Sequence, residues 1–163
     1  MKERDKLRGN ATNFELVSDM NKAYGNRKAT DLTDPVVEMQ LGLITEEYNE
    51  LLEAMAEGYM PNVRKELADL LVVCYGLGFI LNCNCDDDVS AVNTSNMTKL
   101  VSDGVAKRLT HTMYHKAGID VDFVDVSPGQ CVVISGKDQT VDGKFYKKGK
   151  RLKPFGYEPL ELS

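Results

Sequence analysis

The sequence lacks the motifs and hydrophobic runs that identify several large classes of protein. It has no G-x-G-x-x-G or G-x-x-x-x-G-K-[S/T] loop, which argues against a dinucleotide-binding or P-loop mechanism. No G-x-S-x-G motif is present, so a serine nucleophile of that kind is not expected. The longest apolar stretch, residues 70–81, is shorter than the roughly 20 residues of a transmembrane helix, and no signal-peptide pattern follows the charged residues 1–8. We therefore expect a cytoplasmic protein without a membrane partner.

The chain has only two histidines and four cysteines, and its 25 acidic residues outnumber its 20 basic ones. Cys83 and Cys85 form a C-x-C without a second pair, which argues against a zinc site, and we expect reduced cysteines. Cys74 lies in an apolar helical run and is expected to be a buried free thiol. His111 and His115 have helical i, i+4 spacing but no evident third zinc ligand. The net charge of −5 argues against a nucleic-acid partner, which would need a broad basic surface.

The first hundred residues instead contain a series of helical patterns. Helices are predicted over about 14–24, 35–57, 61–81 and 87–101, with Gly25 and Gly58 as stop signals. The apolar stripe of the second helix consists of Val37, Leu41, Ile44, Tyr48, Leu51 and Met55, and that of the third consists of Val63, Leu67, Leu70, Cys74, Leu77 and Leu81. The short connection at 58–62 predicts antiparallel neighbours. Because the third helix is apolar nearly all round, we expect it in a bundle centre or a dimer interface.

The second part of the chain has a different pattern. Apolar and β-branched runs between residues 117 and 134 predict two short strands, and the Gly- and Lys-rich residues from 142 onward predict an irregular tail. We divide the chain into a helical core at 1–104, an insertion of uncertain structure at 105–138, and a tail at 139–163 that packs back on the core. The predicted fold class is all-α, an antiparallel helical bundle with a small β-hairpin insertion near the C-terminus.

Five acidic residues on the two central helices form the main functional candidate. Glu46, Glu47 and Glu50 fall within roughly a 100° arc beside the apolar stripe, and Glu66 and Asp69 share one face of the next helix at i, i+3 spacing. The short connection lets both groups converge. Ionised carboxylates at the edge of a core need compensation, and Mg²⁺ provides it because it prefers oxygen ligands and keeps positions for water and phosphates. Such a site suits cleavage of a phosphoanhydride.

A second interpretation of the same residues remains open. E-E-x-x-E is common on solvated helices, and Glu66 and Asp69 could pair with Lys65 or Arg64 at the surface. The chain would then be a non-enzymatic helical interaction protein whose binding element is the segment 105–138.

The acidic pattern resembles the signature of a known family. E-E-Y-N-E at 46–50 and K-E-L-A-D-L-L at 65–71 resemble the E-E-x-x-E…E-x-x-D signature of the all-α nucleotide pyrophosphatases. This superfamily includes MazG-like proteins, dimeric dUTPases and phosphoribosyl-ATP pyrophosphohydrolases. Residues 14–25, 93–99 and 150–159 are similar to further segments of the compact MazG-like proteins of bacteria and phages.

This resemblance implies a fold, an activity and a set of functional residues. It implies a MazG-like bundle that forms a homodimer or a dimer of dimers, and an enzyme that hydrolyses an NTP or dNTP to the monophosphate and pyrophosphate. Phosphoribosyl-ATP is the alternative substrate. The implied cofactor is Mg²⁺, with Mn²⁺ as a substitute. The implied metal ligands are Glu46, Glu47, Glu50, Glu66 and Asp69, the implied catalytic residue that polarises water is Glu47, and the implied substrate contacts are Asn21, Asn96 and Lys99.

Two features depart from the family pattern. Position 21 is Asn where the close subgroup is expected to have His, which bears on recognition of the base or sugar. The segment 105–138 resembles an insertion before the usual ending. In addition, the basic residues between 144 and 153 are either a flap that attracts triphosphate or a solvated segment.

Overall fold

The computed structural model describes residues 9–160, and the chain divides into two compact units after Val89. The N-terminal unit contains three helices, α1 (Asn13–Ala23), α2 (Pro35–Glu57) and α3 (Met60–Leu81). Helix α4 (Cys85–Met97) crosses the division between the units. The C-terminal unit continues with β1 (Leu100–Val101), α5 (Gly104–Lys116), β2 (Val121–Ser127), β3 (Gln130–Ser135), β4 (Gln139–Val141) and β5 (Lys144–Tyr146). The fold is mainly helical, but its 14% strand content makes the all-α prediction too narrow.

The helices of the N-terminal unit begin and end at the residues that the sequence marks. Thr12 and Glu15 form a reciprocal capping box at the start of α1. Asp34 caps α2 ahead of Pro35 at the first turn, and Gly58 ends the helix in the left-handed conformation, with φ of 74°. Asn82 ends α3 in the same way, with φ of 60°. The bounds predicted for the two long helices therefore agree with the structure to within a residue.

Helices α2 and α3 form an antiparallel hairpin, and their contact line is narrower than the predicted apolar stripes. The residues that are buried or half-buried along this α2–α3 seam are Val37, Gln40, Ile44, Glu47, Leu51 and Ala54 on α2, and Val63, Glu66, Leu70, Val73, Leu77 and Ile80 on α3. Leu41, Tyr48, Met55 and Leu67, which were predicted to lie in the stripes, are exposed. The stripe prediction was wrong at these positions because two helices in contact cover only one narrow strip of each other.

Cys74 also differs from its prediction. The thiol was expected to be buried, yet Cys74 is exposed on α3. It directly follows the seam residue Val73, so it belongs to the part of the apolar surface that this chain alone leaves uncovered.

The core of the N-terminal unit lies where the end of α3 meets α1 and the start of α2. Its buried residues are Val37, Phe79 and Ile80, and Phe14 of α1 packs against them. Gln40 is buried beside them, and its side-chain Nε2 donates a hydrogen bond of 2.8 Å to the Val73 carbonyl oxygen. This bond satisfies a buried amide group and holds α2 and α3 together.

Asp34 connects the loop before α2 to the helix start. The guanidinium nitrogens of Arg27 donate to its two carboxylate oxygens at 2.6 and 2.7 Å, and the backbone N–H groups of Thr30 and Val36 donate to it at 3.0 and 3.1 Å. These donors, Arg27 first, hold the pKa of Asp34 well below its ordinary value. The ionised carboxylate therefore accepts hydrogen bonds from both the loop and the first turn of α2, and so links the two.

The C-terminal unit is built around a three-stranded antiparallel sheet in the order β1-β3-β2. Its core consists of Ile119, Val133 and Leu152. The predicted strands between 117 and 134 are present as the β2–β3 hairpin. The helix predicted to reach residue 101 ends at Met97, because residues 100 and 101 pair with β3 instead. Helix α5 was not predicted as a helix, although Asp103 caps it by accepting from the Ala106 N–H at 2.7 Å.

The segment from Asp142 onward was predicted to be irregular, and this was wrong for its first residues. β4 and β5 form a hairpin joined by Asp142 and Gly143, whose φ angles are 49° and 75°. Two consecutive positive φ angles suit the tight turn that Asp-Gly favours between strands. The three-part domain division stays a prediction.

No single helix among residues 9–160 is long and apolar enough to cross a membrane. Helices α3 and α4 meet the criteria only when taken together, across a bend of 106°.

We expect Asp34→Asn to lower the stability of the protein in a pH-dependent way. Asn can still cap the helix, but it removes the charge that Arg27 contacts. Because the folded-state pKa of Asp34 is depressed, its contribution is fully present above the ordinary aspartate pKa and is lost as pH falls toward the folded-state value. Urea unfolding from pH 7 to pH 2 should show the difference between wild type and variant shrinking in acid.

Asp19→Asn is the control for this measurement, because Asp19 is exposed and pairs with Lys22 at the surface. A difference between wild type and Asp34→Asn that stays constant from neutral pH to pH 2 would contradict the assignment.

Candidate functional site

Three acidic side chains meet on the α2–α3 hairpin. Glu47, Glu66 and Asp69 each offer a carboxylate oxygen, and these oxygens lie within 4.8 Å of one another. Two of the three, Glu47 and Glu66, occupy positions on the seam itself, and Glu66 is only 7% exposed. The acids therefore lie between the helices, deeper than the edge position predicted from the apolar stripes. We call Glu47, Glu66 and Asp69 the carboxylate cluster.

Near the carboxylate cluster, acids lie on one side of the seam and exposed apolar residues lie on the other. Glu46 and Glu50 immediately precede the seam residues Glu47 and Leu51, and Asp69 precedes Leu70 in the same way. In antiparallel helices, residues that precede the seam positions lie on the same side of the pair. Glu46 and Glu50 therefore lie on the side of Asp69, and both are exposed.

The pKa of Glu47 is raised by its position between the helices and among the other four acids. Partial burial between the helices raises its pKa first, and repulsion from Glu50, Asp69, Glu66 and Glu46 raises it further. In the described part of the chain, no cation lies within ion-pair distance of Glu47. Ionised Glu47 is therefore an unfavourable charge that a bound cation would stabilise.

Lys65 neutralises the other two acids of the carboxylate cluster. Its Nζ lies 3.0 Å from Asp69 Oδ2 and 3.1 Å from both carboxylate oxygens of Glu66. These contacts, Asp69 first, raise the pKa of Lys65. The side chain of Lys65 is 62% exposed, so it can turn into solvent and leave both carboxylates to another cation. The surface pairing that was left open as an alternative is thus present, but it is reversible.

The donor atoms of the cluster fit a hard divalent cation. Carboxylate oxygens are the ligands that Mg²⁺ prefers, and one or two carboxylates plus water and phosphate oxygens usually complete its coordination. The structure brings together three of the five predicted ligands and places Glu46 and Glu50 beside them. The five-residue ligand set and the catalytic role of Glu47 stay predictions.

Gln40 is a buried polar residue of this hairpin that the sequence interpretation did not single out. It lies seven residues before Glu47, and Ala54 lies seven residues after it, so all three share the seam. This spacing is a signal in the sequence that would have placed Glu47 on the contact line.

Asn96 and Lys99 lie in the C-terminal unit and contact each other. The Nζ of Lys99 donates to the side-chain oxygen of Asn96 at 2.6 Å, and it lies 5.7 Å from the centre of the Tyr157 ring. Asn96 is exposed, whereas Lys99 is half-buried. The two residues form one polar group at the end of α4, and their contact with substrate stays a prediction.

Asn21 is buried in the N-terminal unit, and its side chain is hydrogen-bonded at both ends. Its Nδ2 donates to the Val17 carbonyl oxygen at 2.9 Å, and its Oδ1 accepts from Asn26 Nδ2 at 2.8 Å. These bonds give Asn21 a structural role on α1. Its predicted contact with substrate stays a prediction.

The region that contains the carboxylate cluster matches a known protein family. Residues 37–102 match the family described as MazG nucleotide pyrophosphohydrolase domain. The match includes all five acids, Asn96 and Lys99, and it excludes Asn21 and the residues beyond 102. The family resemblance is confirmed for this segment.

A viral protein is similar over part of the same chain. An uncharacterized protein of Acanthamoeba polyphaga mimivirus is 31% identical over 83 residues, which are 47% of this chain and 33% of the viral protein. This chain thus covers about a third of that relative's length.

We expect Glu47→Gln to stabilise the metal-free protein at neutral pH and to reduce the stabilisation that Mg²⁺ provides. The substitution removes a half-buried charge that four other acids repel, and it replaces an anionic carboxylate ligand with a weaker neutral amide. Thermal unfolding in EDTA and in Mg²⁺ measures both effects. Glu53→Gln, which changes an exposed glutamate of the same helix, is the matched control.

A Glu47→Gln protein that melts lower than wild type in EDTA would contradict the repulsion argument. An undiminished response to Mg²⁺ would exclude Glu47 as a ligand.

Proposed function

From the MazG-like domain of residues 37–102, we propose that this chain is a Mg²⁺-dependent nucleoside triphosphate pyrophosphohydrolase. It would convert an NTP or dNTP and water to the monophosphate and pyrophosphate. The observation that carries the proposal is the carboxylate cluster, whose three oxygens lie within 4.8 Å of one another inside the matched segment.

The proposed reaction breaks the bond between the α- and β-phosphoryl groups. Glu66 and Asp69 would hold the cation after Lys65 turns away, with Glu46 and Glu50 completing the acidic side. When bound, Mg²⁺ would neutralise charge on the triphosphate and on the departing pyrophosphate. The carboxylate of Glu47 would accept a hydrogen bond from the attacking water and orient it.

The substrate contacts proposed for the C-terminal unit are Asn96 and Lys99. The ammonium group of Lys99 is held by Asn96 and has donors left for a phosphate oxygen, since an ammonium group has three. An acidic protein of net charge −5 needs such local positive charge to attract a polyanion.

We expect Glu47→Gln and Asp69→Asn each to lower kcat/KM for the preferred triphosphate by at least about 100-fold, because each removes a carboxylate from the centre of the site. The measurement is Mg²⁺-dependent release of pyrophosphate across the common NTPs and dNTPs, including dUTP, with phosphoribosyl-ATP as a further substrate.

Glu53→Gln should retain wild-type turnover, because Glu53 lies outside the carboxylate cluster. Hydrolysis that is unchanged in Glu47→Gln would refute the catalytic assignment. A wild-type protein that hydrolyses none of these substrates with Mg²⁺ or Mn²⁺ would favour the non-enzymatic interaction protein.

We also propose that the active form is a homodimer or a dimer of dimers. Support comes from the side of the hairpin opposite the acids, where seven of the residues that follow the seam positions are apolar and exposed. This apolar side consists of Leu41, Tyr48, Leu52, Met55, Leu67, Leu71 and Cys74. A group of exposed apolar residues of this kind often marks an interface. A second copy suits it because each copy offers the same apolar surface.

We expect Leu71→Glu to shift the protein to monomers, because it places a charge on the apolar side. Analytical ultracentrifugation at micromolar concentrations measures the change. Met39→Glu is the matched control, since Met39 is also exposed but precedes the seam residue Gln40 and so lies on the acidic side. Wild-type protein that sediments as a monomer would disprove the dimer.

A further inference from the structure

The C-terminal unit contains a cavity of about 370 Å³ whose described lining has two cationic side chains and no acidic one. This size is within the range of small-molecule sites. The lining residues are Asn93, Asn96, Met97, Lys99, Leu100, Val132 and Arg151. We call this the Arg151 cavity. Its position and composition identify a site that the matched MazG segment alone does not contain, because Arg151 lies beyond residue 102.

The backbone around Arg151 is fixed to strand β3. The backbone of Arg151 forms an antiparallel β-bridge with Ile134. The residues on either side are also bonded to this strand. The Leu152 N–H donates to the Val133 carbonyl oxygen, and the Ser135 N–H donates to the Lys150 carbonyl oxygen, both at 2.9 Å. Leu152 is buried in the core of the unit. The chain therefore presents Arg151 from a rigid segment. A rigid backbone reduces the entropy that a binding side chain loses when its ligand arrives.

The guanidinium group of Arg151 is available for a ligand. In the described part of the chain it forms no ion pair with a carboxylate, in contrast to Arg27, which contacts both oxygens of Asp34. A guanidinium group offers five N–H donors in a planar fork that matches two oxygens of one anion.

Lys99 is the second cation, and its position is also restrained. It donates to Asn96 at 2.6 Å and lies over the Tyr157 ring. The Tyr157 hydroxyl lies 3.1 Å from the Ser95 hydroxyl of α4, and the Nζ of Lys153 lies 4.8 Å from the centre of the same ring. These contacts within the unit keep Lys99 and the Tyr157 ring close to α4.

The charge of the unit favours an anionic ligand. Residues 90–163 contain 11 Lys and Arg against 8 Asp and Glu, whereas residues 1–89 contain 9 against 17. Lys99 is half-buried beside apolar lining residues such as Leu100, which reduces the screening of its charge by water, whereas Arg151 is exposed and accessible to a ligand. Amide groups of Asn93 and Asn96 add neutral donors. Two cations with neutral donors suit a phosphoryl group, which accepts through three oxygens, better than a carboxylate with two.

We propose that the Arg151 cavity binds phosphoryl groups. Arg151 donates two hydrogen bonds to one phosphoryl group, and Lys99 contacts the same anion. That the bound molecule is the nucleotide substrate or its pyrophosphate product rests on the proposed function. The binding of a phosphoryl anion itself does not depend on catalysis.

The test is isothermal titration calorimetry of the full chain with inorganic tripolyphosphate in EDTA at low salt. We expect Arg151→Ala to weaken binding about 10- to 100-fold, the range of hydrogen bonds to charged groups. Arg151→Lys keeps the charge but loses the planar fork, so its affinity should be intermediate. Arg108→Ala removes an exposed arginine of α5 that does not line the cavity, and it should bind like wild type.

Equal affinity of wild type and Arg151→Ala would overturn the proposal. An equal loss in Arg108→Ala would also overturn it, because it would show a diffuse charge effect. Circular dichroism verifies the fold of each variant, and should Arg151→Ala unfold, the comparison of Arg151→Lys with Arg108→Lys decides in its place. Titrations with orthophosphate, pyrophosphate and a nucleoside triphosphate identify which source of phosphoryl groups binds best.

The outcomes separate this inference from the proposed function. Wild-type protein that binds tripolyphosphate through Arg151 but hydrolyses no nucleotide retains the cavity and refutes the enzyme. Protein that hydrolyses a triphosphate while Arg151→Ala leaves both tripolyphosphate affinity and KM unchanged retains the enzyme and refutes the cavity.

Discussion

The placement of carboxylates on a helix–helix contact line is the constraint on which the rest of the site depends. A seam position normally holds an apolar side chain, because burying an unpaired charge is costly. Glu47 and Glu66 occupy such positions on α2 and α3, with Asp69 beside them. The hairpin tolerates them because its other seam residues and the core at Phe79 and Ile80 supply the packing. The site is thus built into the framework of the fold, where helix packing fixes the distances between the acids.

Charge is segregated at two levels of this molecule. Near the carboxylate cluster, Glu46, Glu50 and Asp69 precede seam positions, whereas exposed apolar residues follow the neighbouring ones. One surface there suits cations, and the other suits a second protein surface. Along the chain, residues 1–89 are strongly acidic and residues 90–163 carry a basic excess. A polyphosphate needs both kinds of partner in the proposed reaction, because cations must screen it at the acids while basic side chains attract it.

Local sequence signals predicted the helix bounds and the convergence of the acids, whereas long-range pairing was beyond them. Asp34, Pro35 and Gly58 mark the ends of α2 through capping and backbone preference, which depend on neighbouring residues only. The choice among apolar stripes depends on which face another helix covers, and so Leu41 and Tyr48 were placed inside. Residues 100 and 101 left the predicted helix because β3, some 30 residues later, pairs with them. The β4–β5 hairpin differs from these cases, because its Asp-Gly turn is a local signal that the sequence itself contains.

Lys65 gives the metal-free state a counterion that belongs to the chain itself. Its ammonium group contacts both Glu66 and Asp69, so these two acids have a counterion within the hairpin when no metal ion is bound. Under the proposed function, cation uptake is then an exchange reaction in which a tethered charge is displaced to solvent. The apparent affinity for the ion therefore includes the free energy of breaking that internal pair, so a variant without the lysine would bind the ion more tightly.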